Sequence, residues 1–388
     1  MVSKPYGGKL VNRLLDENER ERILEDVYER QQISVDRTVA FDIEKIALGA
    51  YSPLEGFMGS EDYNFVLYRE SLSSGLPWTI PIILATNSLK NSVMEDLKEG
   101  DEPAFLYDGK PIAIFHLEER YRFDKKELAK QVYGTIDPAH SDVKKIEHMG
   151  DFLLSGRISL LERLSGRDEL TPQETRKIFE ERGWGTIAAF QTRNPPHLAH
   201  EYIQRCALEL VDGIFIHPVV GELKEDDFPP EAVIESYSYL IKNYYPKERV
   251  LLSPLSIAMR YAGPKAAVLL AIMRENYGCT HFIVGRDMAG VGNYYEPYEA
   301  QKILKELNLG IEPILFRESY YCRRCRSMAT EKTCGHSLED QLKVSMTQVR
   351  KMIAKGTRPP SEIMRPDIAD LLMRYQLHLS YGIIKSKS

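Results

Sequence analysis

From about residue 183 the chain alternates short apolar runs with helical segments, and this alternation restricts the fold more than any other feature of the sequence. Apolar runs at 187–190, 213–220, 249–252, 281–284 and 312–316 are separated by helical patterns near 198–210, 230–243, 264–276 and 297–308. Three of these patterns open with proline, at Pro230, Pro264 and Pro297. Its fixed φ and missing N–H suit a first helical turn. Strands alternating with helices build a doubly wound parallel sheet, an α/β fold whose ligands sit beyond the carboxyl ends of the strands.

The region before this has a different texture. Short apolar runs at 76–84, 102–107 and 111–116 are broken by Pro, Gly and Asp, which suits a strand-rich unit, and the charged stretch 124–131 reads as a helix between strands. After 320 comes a cysteine-bearing loop and then two short helices near 347–354 and 366–375. The expected domains are therefore 1–165, β-rich; 166–320, the α/β catalytic unit; and 321–388, a small C-terminal loop and helical region.

Residues 191–201 read Gln-Thr-Arg-Asn-Pro-Pro-His-Leu-Ala-His-Glu, directly after the first apolar run of the α/β region. Pro195-Pro196 end the strand and suit a helix start, so His197 and His200 are expected in a first helical turn, sharing one face at spacing i, i+3. A helix N-terminus already attracts anions through its free N–H groups and dipole. Two imidazoles, with Arg193, Asn194 and Gln191 beside them, make a phosphate site. Packed or solvated histidines are the plain alternative. Zinc is the other, although zinc proteases space their histidines i, i+4 with Glu after the first, where Leu198 stands here.

Composition narrows the partners. The 388 residues are 43% hydrophobic and 28% charged, and 51 Lys plus Arg against 57 Asp plus Glu give a net charge of −6. No global basic field invites nucleic acid, so positive charge must be concentrated locally. No apolar run approaches the roughly 20 residues of a membrane span, and the acidic N-terminus lacks a signal-peptide core. A cytoplasmic protein without membrane or nucleic-acid partners is expected. Five cysteines, three of them clustered, are no disulfide framework. Cys206 and Cys279 read as buried small hydrophobes. Cys322, Cys325, Cys334 and His336 offer four N/S donors within fifteen positions, which favours a tetrahedral structural zinc over reduced thiols in a basic loop. The single residue between Cys334 and His336 is tighter than zinc-finger spacing.

At 191–201 the chain resembles the ATP sulfurylase family, whose signature is Gln-x-Arg-Asn-Pro-x-His-x-x-His-Glu. A second family motif, Gly-Arg-Asp-His-Ala-Gly-Pro-Gly, is similar to Gly285-Arg286-Asp287-Met288-Ala289-Gly290-Val291-Gly292, with Met288 and Val291 departing from it. Stretches 50–58, 259–265 and 365–367 also look like the family. The resemblance implies a PUA-like N-terminal domain and a Rossmann-like nucleotidylyltransferase sheet. It implies that ATP and sulfate react to adenosine 5′-phosphosulfate and pyrophosphate; no Gly-x-x-x-x-Gly-Lys-Ser/Thr occurs in the sequence, so a fused kinase is not expected. It assigns sulfate to Gln191, Arg193 and the backbone near Ala289. ATP falls to Asn194, His197, His200, Gly285, Arg286, Asp287 and Met288, while Thr192 occupies an active-site position. Magnesium is expected with ATP, and a homodimer is expected.

Arg260 and Lys265 read either as pyrophosphate contacts or as an ordinary helix start, and 221–227 either as a family loop or as a solvated one. By itself Arg286-Asp287 could be a structural ion pair on a Gly-rich turn. Two other functions compete. Another His-x-x-His nucleotidylyltransferase would not need Gln191 and Arg193 in that order, and an RNA-binding module is disfavoured by the acidic balance.

Overall fold

A computed structural model describes residues 2–86, 93–166, 168–221 and 227–380. The N-terminal part is built on a six-stranded sheet whose spine is the antiparallel pair Lys110–Arg122 and Phe152–Leu160. The second of these strands was not singled out from sequence, because Ser155-Gly156-Arg157 interrupts its apolar run. Gly156 is needed there: a Cβ would lie 2.0 Å from the His116 carbonyl oxygen across the ladder. The strand expected over 76–84 shrinks to Leu84–Ala85, since Pro77 and Pro81 can donate nothing to a ladder.

In the α/β part the expected strands and helices lie within a few residues of where the pattern put them. The five strands run parallel in the order Glu312–Leu315, His281–Val284, Ile187–Thr192, Gly213–Pro218, Val250–Leu252. The first strand in sequence is therefore central, and succession moves outward to one side and then to the other. The reversal falls between Ile187–Thr192 and His281–Val284, which are neighbours. This is the switch point at which such sheets leave a crevice, and the two motifs found in the sequence are the loops that leave these two strands.

Alternate strand residues face opposite layers. Ile187, Ala189, Phe215 and Phe282 belong to one core with helix Pro264–Asn276 and the N-terminal domain. Ala188, Phe190, Ile216 and Ile283 belong to another. The helices Met346–Ala354 and Pro366–Ser380 contribute Val349, Ile353, Ile368 and Leu372 to that second core. They thus share a layer with helices Leu198–Leu208 and Pro230–Tyr244.

Pro264–Asn276 is apolar on all sides because it is covered on all sides. It lies between the sheet and the N-terminal domain. At its end the Asn276 amide donates to the carbonyls of Ala50 and Ser52 and accepts the Tyr6 N–H at 2.9 Å. The 50–58 stretch is thereby part of the joint between domains. A second buried joint pairs Lys45 with Glu44 at 2.7 Å and with Glu169 at 2.5 Å.

Candidate active site

The crevice begins at the end of Ile187–Thr192. The buried Thr192 hydroxyl donates to the Asn194 carbonyl at 3.1 Å and accepts its N–H at 3.0 Å, closing a tight turn. That is a positional role the sequence did not reveal. Pro195 and Pro196 lie before the helix rather than in its first turn, and Leu198–Leu208 starts one residue after His197. His197 is its N-cap: Nδ1 accepts the His200 N–H at 3.3 Å. A β-region φ of −132° makes the cap possible, while Leu198 and Ala199 place His200 directly over it. The rings stack with centroids 3.6 Å apart and planes 24° apart. His200 is also braced by Phe190 edge-on at 5.1 Å and by the Tyr237 hydroxyl, 3.3 Å from Nδ1. Burial pulls the His197 pKa down to about 3, and burial together with His197 pulls His200 well below the usual histidine range. Both imidazoles are neutral near pH 7, so each carries one N–H: that of His197 is on Nε2, since Nδ1 accepts, and that of His200 is shared with the Pro195 carbonyl.

Arg193 is largely buried, and its guanidinium carbon lies 5.1 Å from the centre of the Tyr261 ring. Nη2 is 3.6 Å from Asp227, whose other oxygen is 3.7 Å from Arg350. Arg350 also donates to the Asn194 side-chain oxygen at 3.2 Å. Among the described residues, two guanidinium groups against one carboxylate leave one net positive charge. Nη1 of Arg193 is buried and has no hydrogen-bond partner among the described residues. Burial, partly offset by Asp227 and reinforced by Arg350, holds the Arg193 pKa below its ordinary value. An anion would relieve both the orphaned donor and the uncompensated charge. The Gln191 side-chain oxygen is likewise buried and unpartnered, with its nitrogen 3.9 Å from the Met259 sulfur.

Tyr237 and Arg350 were not found from sequence, because neither lies in a polar cluster of its own. Asp227 and Tyr261 fall within the stretches 221–227 and 259–265 but carried no role of their own there, and only the folded chain brings all four to the turn. Glu201, by contrast, closes the sequence signature and faces away from the crevice. It receives Arg365 Nε on both oxygens at 2.9 Å, and Tyr244 donates to Asp367. The 365–367 stretch therefore fastens the C-terminal helix to the histidine helix through Arg365 and to helix Pro230–Tyr244 through Asp367. Of the charged segment 221–227, residues 222–226 lie outside the described residues.

The second loop leaves His281–Val284. Gly285, Arg286, Asp287, Met288 and Ala289 lie at the same end of the sheet as the first motif, and Arg286, Asp287, Met288, Gly290, Val291 and Gly292 border a cavity of about 140 Å³ with Gly263 and Pro264. Ala289 has φ +55°, and its carbonyl accepts the Gly263 N–H at 3.1 Å. Gly263 itself has φ +53°, and a Cβ there would sit 2.5 Å from the Tyr295 ring. Only glycine fits that contact. The two departures from the family motif have a packing use, because Met288 and Val291 both lie against the main apolar core. Arg286 does pair with Asp287, at 3.5 Å, and more closely with Glu318, at 3.1 Å.

Arg260 and Lys265 do not reach the crevice. Arg260 is buried against Asp42 at 2.6 Å and Tyr51 at 3.2 Å. Lys265 binds Glu70 at 2.9 Å and the Gln131 carbonyl at 2.7 Å. Both cations belong to the joint with the N-terminal domain, so the pyrophosphate reading of these residues is set aside.

Cys322, Cys325, Cys334 and His336 converge, with one donor atom from each within 4.8 Å of the others. The three thiol sulfurs are 3.3–3.4 Å from His336 Nδ1, and Cys325 is 3.7 Å from Cys334. A zinc tetrahedron with bonds of ~2.3 Å to sulfur and ~2.0 Å to nitrogen has edges of roughly 3.5–3.8 Å. The donor set and its spacing fit zinc, and His336 belongs with the thiols despite its short sequence spacing. The cluster joins the antiparallel strands Ser327–Ala329, Tyr320–Cys322 and Gln341–Lys343. This small sheet lies beside the histidine helix, where the Tyr202 hydroxyl is 3.3 Å from that of Thr333.

Residues 167–375 match the model of the ATP-sulfurylase family, and residues 3–163 match that of a PUA-like domain. The sulfate adenylyltransferase of Hyperthermus butylicus is 48% identical over 379 residues, 97% of each chain. That of Ignicoccus hospitalis is 48% identical over 380 residues, 97% of this chain and 99% of the relative. Among solved structures, one described as hexameric APS kinase from Thiobacillus denitrificans aligns with TM-score 0.74 at 24% identity, over 96% of this chain and 68% of that one. At that identity the likeness is one of fold. Among the described residues no helix is long and apolar enough to cross a membrane.

Proposed function

Because this chain belongs to the ATP sulfurylase family it is a sulfate adenylyltransferase, and we propose that it works by in-line attack of sulfate on the α-phosphorus of ATP. A sulfate oxygen forms the new O–P bond as the bridge to the β-phosphate breaks, and pyrophosphate leaves with the electron pair. Sulfate is a dianion at neutral pH and has no proton to give up, so the crevice needs no general base. The barrier lies in bringing two polyanions together, which calls for positioning and charge stabilisation.

The observation that carries this reading is the buried Nη1 of Arg193 at the end of the central strand, which has no hydrogen-bond partner among the described residues. Arg193 orients sulfate, with Gln191 and the backbone near Ala289 completing its seat. Thr192 shapes the turn, and Asn194, fixed by Arg350, faces the nucleotide. His197 and His200 donate neutral N–H groups to the phosphates, where charge grows on the leaving pyrophosphate. Gly285, Arg286, Asp287 and Met288 form the opposite wall for ATP. Magnesium bound to ATP would screen the polyphosphate charge. Zinc held by Cys322, Cys325, Cys334 and His336 would close the small sheet without entering the reaction.

The test is sulfate-dependent exchange of labelled pyrophosphate into ATP. Exchange should require sulfate and magnesium and no second nucleotide. Exchange that ran equally well without sulfate would overturn this reading in favour of another His-x-x-His nucleotidylyltransferase.

A further inference from the structure

Glu318 lies two residues ahead of the strand Tyr320–Cys322, outside every motif of the sequence, yet it is bonded at three points. Its Oε1 accepts from Arg286 Nη1 at 3.1 Å and its Oε2 from Lys343 Nζ at 2.8 Å. Its backbone N–H donates to the Tyr298 hydroxyl at 3.2 Å. The backbone N–H of Tyr298 in turn donates to the Arg286 carbonyl at 2.9 Å, from a left-handed conformation with φ +71°. Arg317 covers the Tyr298 ring, its guanidinium carbon 4.8 Å from the centroid. Main chain and side chain of Arg286 are thus both tied to the segment 317–318. Lys343 lies opposite Tyr320 in the three-stranded sheet.

We propose that Glu318 is a positioning residue, which aims the Arg286 guanidinium at the nucleotide crevice and couples it to the metal-binding sheet. This rests on the reading of 285–289 as a nucleotide wall. Arg286 has a rival partner in Asp287, its neighbour in sequence, 3.5 Å away on its own turn. With only that contact the guanidinium would fold back along its own loop. A second carboxylate, fixed by Lys343 and by its own backbone, pulls it outward. The pairs are partly exposed, at 38% for Arg286 and 34% for Glu318, so they add little to stability. What they supply is direction, which a guanidinium needs in order to meet phosphate oxygens with its planar fork.

The experiment measures equilibrium affinity for α,β-methylene ATP without sulfate, with KM and kcat, zinc content and melting temperature, in Glu318→Gln, Lys343→Met, Lys343→Arg and Arg286→Ala. Glu318→Gln keeps the shape and removes the charge. It should weaken analogue binding and raise the ATP KM by roughly tenfold. Zinc content, melting temperature, sulfate KM and kcat at saturating ATP should stay near wild type. Lys343→Met should weaken binding by roughly threefold, and Lys343→Arg should restore it. If Arg286→Ala weakens analogue binding while Glu318→Gln does not, positioning by Glu318 is overturned and the nucleotide wall stands. If Arg286→Ala also binds the analogue normally, the nucleotide reading of this loop falls, and the proposal falls with it.

Discussion

The two loops that flank the crevice are held in opposite ways. Loop 191–194 is closed by its own Thr192 turn and by the histidine cap that follows, with Asp227 and Arg350 behind it. Its turn and its cap come from the strand and helix it joins. Loop 285–292 has few bonds of its own. Its continuation is anchored outward, by Tyr294 to Asp137 at 2.8 Å, by Tyr295 to the Tyr133 carbonyl at 3.2 Å, and by Arg286 to Glu318. The first loop is thus a local device, and the second is a consequence of how three parts of the molecule are assembled. Substitutions within 191–200 should therefore act directly on chemistry. Substitutions far from 285–292 should act through nucleotide affinity.

The largest expected effect tests the local loop. Arg193→Lys keeps the charge and loses the fork, and turnover should fall by roughly 100-fold or more, the scale of removing one oriented donor. ATP-analogue affinity should stay within about twofold. Near-normal turnover, or a loss confined to ATP binding, would erase the distinction drawn between the loops. Next comes the metal cluster. Cys322→Ser should reduce zinc from about one per chain and lower the melting temperature by roughly 5 °C or more. Metal-free protein with an unchanged melting temperature would remove the structural zinc.

Smaller effects sharpen the contrast. Tyr294→Phe removes only the bond to Asp137, so the ATP KM should rise by roughly threefold while the sulfate KM is unchanged. A matching shift in sulfate KM would show that the loops are not separately supported. Last is a pH effect on stability. The His197 pKa is about 3 in the folded chain because of burial, against ~6.5 unfolded. The unfolded state therefore binds a proton that the folded state excludes. This contribution to stability is present above pH ~6.5 and is lost as pH falls toward the folded value. His197→Asn retains an N-cap acceptor but cannot titrate. Its acid-induced loss of stability below pH 6 should be shallower by up to ~1.4 kcal/mol per pH unit. Equal slopes in denaturant titrations at several pH values would show that His197 is not buried neutral.

Much of the catalytic half was legible because its pattern is local. Five apolar runs, with Pro230 and Pro264 opening helices, place the strands, and parallel alternation dictates where ligands bind; Pro297 stands ahead of its helix, which begins at Glu299. In the N-terminal half the strand Phe152–Leu160 was missed, since its glycine is explained only by the His116 carbonyl across the ladder. The same division holds at the site. The residues of 191–201 and 285–292 stand together in the chain, whereas Glu318 and Arg350 bear no mark of function until the chain folds, and Asp227 and Tyr261 gain a role only when folding brings them to Arg193.

What the sequence by itself determined is the chemistry available: a guanidinium, amides and paired imidazoles after one strand, a Gly-rich turn after another, and three thiols with one imidazole. These follow from residue type and spacing, which act over a few bonds. Which cations stay free for ligand was decided by tertiary structure. Arg193, Arg260 and Lys265 look alike as cations in a motif, but Arg260 meets Asp42 and Lys265 meets Glu70, while one nitrogen of Arg193 is buried without a hydrogen-bond partner among the described residues. Burial sets how much an unpaired charge costs, and pairing sets whether that cost has already been met. Both depend on groups far off in sequence, from Asp227 beside Arg193 to Asp42 beside Arg260.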